Sequence, residues 1–390
     1  MRFPYLRLAD LCSMTTGKLD SNAAIQYGEY PFFTCARETY KINNYAFDTE
    51  AVLLGGNNAN GIFPLKYYYG KFNAYQRTYI IESLDQNILL TRYLFYALKP
   101  ALSHFQNASI GATTQYLTKS ILDNFKIKVP DLTSQKAIVN ILSKYDDLIE
   151  NNRRRIELLE RSARLLYKEW FVRLRFPGHE HTPIIDGIPE GWKYLKLEEV
   201  ISDIIDYRGK TPKKLGGDWC NSGIPALSAL NVKNNQLINL DKCKFVNESL
   251  YEKWMKTELQ KYDILMTSEA PLGELYYLTS EQKFCLSQRL YAIRANVDVI
   301  KPAMLFCTLL TPKTQAEIHS RETGTTVFGI RQSALREISI LVPSIELQEL
   351  ATETLDSIFE QKEVLQKQNQ KLKQARDILL PKLMNGEIEV

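Results

Sequence analysis

The chain has 390 residues, 45% hydrophobic and 24% charged, long for a single core and of ordinary globular composition, so two or more domains are expected. No run of about 18 apolar residues occurs, which excludes a transmembrane helix, and Met1-Arg2-Phe3-Pro4 leads into no signal-peptide core. Six cysteines without a Cys-x-x-Cys pair suggest reduced thiols in a cytoplasm, and a net charge of +4 permits nucleic-acid binding without requiring it.

Along the chain, β-like stretches at 51–54 and 78–81 flank the turn signal Gly55-Gly56-Asn57-Asn58. A helix is expected over 89–98 and a strand over 125–129, closed by Pro130. Thr133 or Ser134 then caps a long helix. Its apolar or near-apolar residues Ile138, Leu142, Tyr145, Ile149, Ile156, Leu159, Ala163, Leu166 and Trp170 fall in a 4-3 heptad pattern, with Asn152 on the seam. Loop signals follow at Pro177-Gly178 and from Asp186 to Gly191. Beyond them lie a turn at Asn234-Asn235, strands at 264–266 and 290–293, and a helix over 302–318. A second long helix keeps the heptad phase with Ala351, Leu355, Ile358, Leu365, Leu372 and Leu379, interrupted by Lys362, Asn369 and Arg376. Polar seam residues cost stability but fix register and partner. With so wide a polar surface neither helix is stable alone, and the simplest pairing is with each other, antiparallel.

Self-similarity organises the rest. Shifted by 213 positions, residues 111–171 lie on 324–384 without a gap, matching Gly111/Gly324, Ile127/Ile340, Pro130/Pro343, Gln135/Gln348 and Leu166/Leu379 among others. Shifted by 212, Gly61 meets Gly273, and Lys71-Phe72-x-x-x-Gln76-Arg77-x-Tyr79 meets Lys283-Phe284-x-x-x-Gln288-Arg289-x-Tyr291. Tyr5-Leu6-Arg7-Leu8 repeats as Tyr194-Leu195-Lys196-Leu197. Leu6 to Gly61 spans 55 positions and Leu195 to Gly273 spans 78, so the second copy carries an insertion in its first part. The unit duplicated is a globular domain followed by a helix.

Three stretches resemble the hallmark segments of the specificity subunits of Type I restriction-modification systems. They are Arg376-Asp377-Ile378-Leu379-Leu380-Pro381-Lys382-Leu383-Met384-Asn385-Gly386-Glu387-Ile388, Pro189-Glu190-Gly191-Trp192, and Leu166-Tyr167-Lys168-x-Trp170-Phe171. The resemblance implies an α+β chain with two duplicated α/β target-recognition domains, separated by two long antiparallel conserved helices that form a coiled coil. In this sequence the parts are expected at 1–130 (first recognition domain), 131–176 (first helix), 177–343 (second recognition domain) and 344–390 (second helix and tail). It further implies binding to double-stranded DNA at a bipartite site, no membrane association, and assembly with two methyltransferase and two translocase-nuclease subunits. S-adenosylmethionine is expected in the methyltransferase partner, with no cofactor in this chain.

The residues agree with a non-catalytic role. No Asn/Asp-Pro-Pro-aromatic loop for holding a flipped base is present, and Gly17-Lys18 and Gly209-Lys210-Thr211 lack the upstream glycine of a phosphate cradle. His179-x-His181 is short of metal ligands. Domains that read different bases should share scaffold and differ at base contacts. The shared Arg77 and Arg289 are therefore expected to be structural or to hold phosphate. Unshared polar residues are the base-reading candidates: Arg37, Asn57, Asn58, Asn60 and Lys66 in the first domain, and Arg208, Lys210, Lys213, Lys214, Asn231, Lys233 and Glu269 in the second. A scaffold that binds only proteins is the rival reading, and salt-dependent DNA affinity separates the two.

Overall fold

β-branched and aromatic stretches between turn residues pair, in the first copy, into a six-stranded sheet. Its order is Cys12–Thr16, Thr78–Ser83, Phe47–Gly55, Leu65–Ala74, Tyr30–Phe33, Tyr40–Ile42. The computed structural model describes residues 3–59, 61–111 and 113–390. The chain forms two compact units, one running through Asn151 and resuming at Gln368–Val390, the other Asn152–Lys367.

In the first unit, alternation along Phe47–Gly55 sends successive side chains to opposite faces. Val52 and Leu54 join Ile81 and the helix Thr91–Leu98 in the main core, while Leu53 joins Phe33, Phe72 and Ile80 on the other face. Each such side chain contributes on the order of 1.5–3 kcal/mol by leaving water. Tyr5–Arg7 closes the unit by pairing antiparallel with Lys126–Lys128, Leu6 opposite Ile127.

The second unit repeats this order with the sheet split. Ile201–Ile205, Leu290–Ala295, Ile264–Thr267 and Leu275–Tyr277 form one part, and Lys244–Val246, Ile224–Leu227 and Cys285–Leu286 the other. Both units hold one parallel pairing at the equivalent place, Phe32–Phe33 with Asn73–Ala74 and Ala226–Leu227 with Cys285–Leu286. Lys193–Lys196 pairs with Ser339–Val342 and sets Leu195 opposite Ile340, as the repeat requires. The extra residues build a hairpin, Val232–Lys233 with Gln236–Leu237, and the helix Glu248–Trp254. The hairpin turns on Asn234 and Asn235, both left-handed (φ 50° and 56°), the conformation asparagine tolerates best after glycine. Trp254 is fully buried and donates Nε1–H to the Leu286 carbonyl at 3.1 Å.

The long helices are Leu132–Tyr167, extended by one wider turn at Lys168–Val172, and Ile345–Asn385. All nine heptad positions expected on the first are buried or half-buried. In the first unit, the Arg376 Nη1–H donates to Asp146 at 2.5 Å and the Asn369 amide donates to the Ile149 carbonyl at 3.3 Å. In the second unit, Lys362 pairs with Glu160 at 2.7 Å. In each unit the two helix segments run antiparallel, and the three polar interruptions are the residues that lock them.

A matched glutamine ties each helix start to its own domain. Gln135 is fully buried, donates to the carbonyls of Ile88 and Pro130 and accepts from the Leu90 N–H. Gln348 does the same with Val299, Pro343 and Lys301.

Three local expectations change. The N-terminal cap of the first long helix is Asp131, which accepts from the Ser134 N–H at 3.0 Å, rather than Thr133 or Ser134. The helix expected over 302–318 is two, Pro302–Leu309 and Pro312–Ser320, because Pro312 offers no N–H and Thr311 caps a new start through the Thr314 N–H. Asn57–Asn58 is not a turn but a short strand paired with Gln115–Tyr116, a partner too distant in sequence for turn composition to reveal.

Candidate nucleic-acid interface

At one end of the first sheet, backbone bonds build a small frame. The Gly56 N–H donates to the Arg77 carbonyl at 2.7 Å, and the Leu117 N–H donates to the Gly56 carbonyl at 2.8 Å. The Tyr79 hydroxyl donates to the Leu117 carbonyl at 2.8 Å, and Ile110 and Tyr116 exchange backbone bonds. Asn57 pairs with Tyr116 on this frame. The exposed guanidinium of Arg77 lies over the Tyr116 ring, 5.2 Å from its centroid.

The second unit builds the same frame. The Ser268 N–H donates to the Arg289 carbonyl at 2.9 Å and the Ile330 N–H to the Ser268 carbonyl at 3.0 Å. The Tyr291 hydroxyl donates to the Ile330 carbonyl at 3.1 Å, Thr323 and Gly329 exchange backbone bonds, and Glu269 bridges to Gly329. Each of these residues is the repeat partner of its counterpart at the shift of 212 or 213. Here Arg289 Nε pairs with Glu269 at 3.0 Å. Arg208 lies over Tyr291 at 4.3 Å and is held by Asp206 through Nε–H and Nη2–H.

Gly111 and Gly324 form the hinge of the two frames. Their φ values are 128° and 138°, and an added Cβ would stand 2.0 Å from the Thr114 carbonyl oxygen and 2.1 Å from that of Val327. No side chain fits there, which is the physical reason for their match.

The remaining candidates divide by what their side chains already do. Lys66 is half-buried and donates to the Glu38 carbonyl at 2.6 Å and to Thr39 Oγ1 at 3.2 Å. Burial lowers its pKa to about 8, against the opposing pull of Glu38. Lys210 donates to the Trp254 carbonyl and Lys214 to that of Gly209, both at 2.8 Å, so much of the charge in this basic loop braces the loop itself. Asn231 is a correction: it is buried, accepts from the Ser228 N–H and donates to the Ile238 carbonyl, so its amide holds a turn and faces no groove. Arg37, Lys213 and Lys233 are exposed, Asn58 is half-buried beside Asn57, and Asn60 lies outside the described residues.

Tyr116 and Asp206 were missing from the expected set. Tyr116 was discoverable in principle, since it falls within the gapless repeat opposite Gly329. His179 points Nδ1 at the Phe176 carbonyl at 2.8 Å, and among the described residues no group of three or more His, Cys, Asp or Glu is placed to hold a metal. No helix among them is long and apolar enough to cross a membrane.

Two of the signature segments meet in the second unit, and the third enters the core of the first. Trp192 packs on Phe171 and Phe176 at 5.8 and 5.2 Å, while Leu380, Leu383 and Met384 enter the core of the first unit.

A duplicated α/β domain, each copy carrying an arginine-bearing frame and its own half of an antiparallel helix pair, defines a class of tandem recognition proteins. The family profile described as Type I restriction modification DNA specificity domain matches residues 3–161 and 189–374, and the chain belongs to that family. It is similar to the Type I restriction enzyme EcoDI specificity subunit of Escherichia coli, 27% identical over 98% of this chain and 88% of that one. It is also similar to the MjaVIII specificity subunit of Methanocaldococcus jannaschii, 28% identical over 87% and 79% of the two chains. A crystal structure of the S subunit of a Type I restriction-modification system from M. genitalium shares the fold, with TM-score 0.65 and 17% identity over 98% of this chain and 96% of that one. Membership makes this chain a specificity subunit: the DNA-recognising, non-catalytic part of such a system.

Proposed function

We propose that the chain reads a bipartite duplex site, one half per recognition domain, and brings partner methyltransferase subunits to it. Two modification subunits would carry S-adenosylmethionine and the base-flipping chemistry, and two translocase-nuclease subunits would complete a restriction complex in the cytoplasm. One observation supports this reading above others. The two units present the same frame and the same exposed arginine, yet differ in the polar residue beside it. A shared frame with unlike reading residues is what two half-sites of different sequence require.

The test uses the full chain with and without its modification subunit. Alone, it should transfer no methyl group from S-adenosylmethionine to DNA; with the subunit, methylation should appear at one two-part motif. Affinity for duplex DNA should fall steeply with salt as counterions are released. Replacing residues 1–130 with the corresponding domain of a relative should alter one half of the motif and leave the other. Salt-insensitive binding of protein partners with no DNA affinity would favour the scaffold reading instead.

A further inference from the structure

We infer that residues 57 and 269 are one and the same specificity position in the two halves, Asn57 reading adenine in one half-site and Glu269 reading cytosine in the other. The inference rests on the reading that each domain contacts duplex DNA, and goes beyond it by assigning residue to base.

The equivalence is geometric. Residues 56 and 268 each donate to the carbonyl of the shared arginine and accept from residue 117 or 330, and the next residue, Asn57 or Glu269, bridges to 116 or 329. Asn57 is half-buried and Glu269 has a side chain 34% exposed, so both reach the surface from a fixed backbone. The residues across the bridge differ in a compensating way. Gly329 faces Glu269, and a Cβ there would lie 2.8 Å from both the Glu269 Cβ and the Ser268 carbonyl oxygen. In the first unit Tyr116 takes that place and carries Arg77 over its ring. The arginine is thus held by a ring in one copy and by the variable carboxylate in the other.

The chemistry follows from the side chains. An asparagine amide offers one donor and one acceptor, matching adenine N7 and N6, whereas a carboxylate only accepts and matches the cytosine N4 amino group. The arginine is common to both copies and carries no difference between them, so it holds phosphate.

The experiment maps methylated motifs for the chain assembled with its modification subunit. Glu269→Gln should lose discrimination at one cytosine in one half-site by about tenfold, the weight of a good base contact. Asn57→Glu made together with Tyr116→Gly should exchange one adenine for cytosine in the other half-site. Arg77→Ala and Arg289→Ala should weaken methylation across all sites without changing the motif. As a readout independent of variant folding, wild-type binding should fall when 7-deazaadenine replaces that adenine or N4-methylcytosine that cytosine. A bipartite wild-type motif that stays unchanged in the variants, with binding indifferent to the base analogues, overturns the inference and leaves the DNA-reading role standing. A wild-type complex that methylates no motif overturns both.

Discussion

Lys66 shows how one residue's environment decides its use. Its ammonium is half-buried near the Phe33 ring, and burial brings its pKa to about 8, against an ordinary value near 10.4. Between those two values the unfolded chain binds more protons than the folded one, so this group's effect on stability becomes more favourable as pH rises through the window. Any attraction of its charge for phosphate moves the opposite way and fades above pH 8. Duplex affinity of wild-type protein should therefore drop between pH 7 and 9 more steeply than that of Lys66→Arg, whose charge persists. Titrations at fixed ionic strength that gave parallel profiles would show that Lys66 touches no phosphate. At this scale the sequence was only partly legible. Sorting shared from unshared residues placed Asn57 and Glu269 among a wider set of candidates, because a repeat exposes what differs between equivalent positions. It did not separate them from Asn231, Lys210 or Lys214, since nothing local distinguishes a polar side chain that braces a turn from one that faces solvent.

Among elements, the helix seam carries the sharpest stability prediction. Asp146 accepts from Arg376 and from the Tyr96 hydroxyl at 2.8 Å, and pairs with Lys99 at 3.4 Å. Burial alone would raise its pKa, but Lys99, Arg376 and Tyr96 together hold it below the ordinary value. Its stabilising contribution is present above the unfolded value near 3.9 and is lost as pH falls through the lower folded one. Asp146→Asn should cost about 2 kcal/mol in urea unfolding at pH 7, less than a fully buried pair, because about a fifth of each side chain meets solvent. The same variant should lose less stability than wild type on acidification. Gln135→Ala should cost a similar ~2 kcal/mol by leaving the buried Pro130 carbonyl, the partly exposed Ile88 carbonyl and the Leu90 N–H without their partner, and Gln348→Ala should match it in the second unit. Circular dichroism through a urea titration checks both, and a neutral outcome would mean water replaces the amide. Heptad spacing foretold this seam because a helix face is written locally at 3.6 residues per turn. The strand Asn57–Asn58 escaped because its partner lies far along the chain, and the break before Pro312 because apolar spacing continues across it.

For the whole molecule, the proposal of a bipartite site makes the paired helices the ruler for the gap between half-sites, and their polar locks say where to lengthen them. The compact units change over between Asn151 and Asn152 on the first helix and between Lys367 and Gln368 on the second. A heptad inserted at both places leaves Arg376–Asp146 and Asn369–Ile149 within the first unit and Lys362–Glu160 within the second. It also preserves the 4-3 seam, so pairing survives. Seven residues at ~1.5 Å each add about 10 Å, the rise of about three base pairs at ~3.4 Å. Those three base pairs also turn the duplex by roughly 100°, since a full turn takes about 10. Overall activity should therefore fall even as the preferred gap lengthens, and the two effects are separated by mapping methylation over a library with randomised gap lengths. A motif with both halves unchanged and a gap about three base pairs longer is the expected result. An unchanged gap at full activity would show that the spacing is set by something other than these helices.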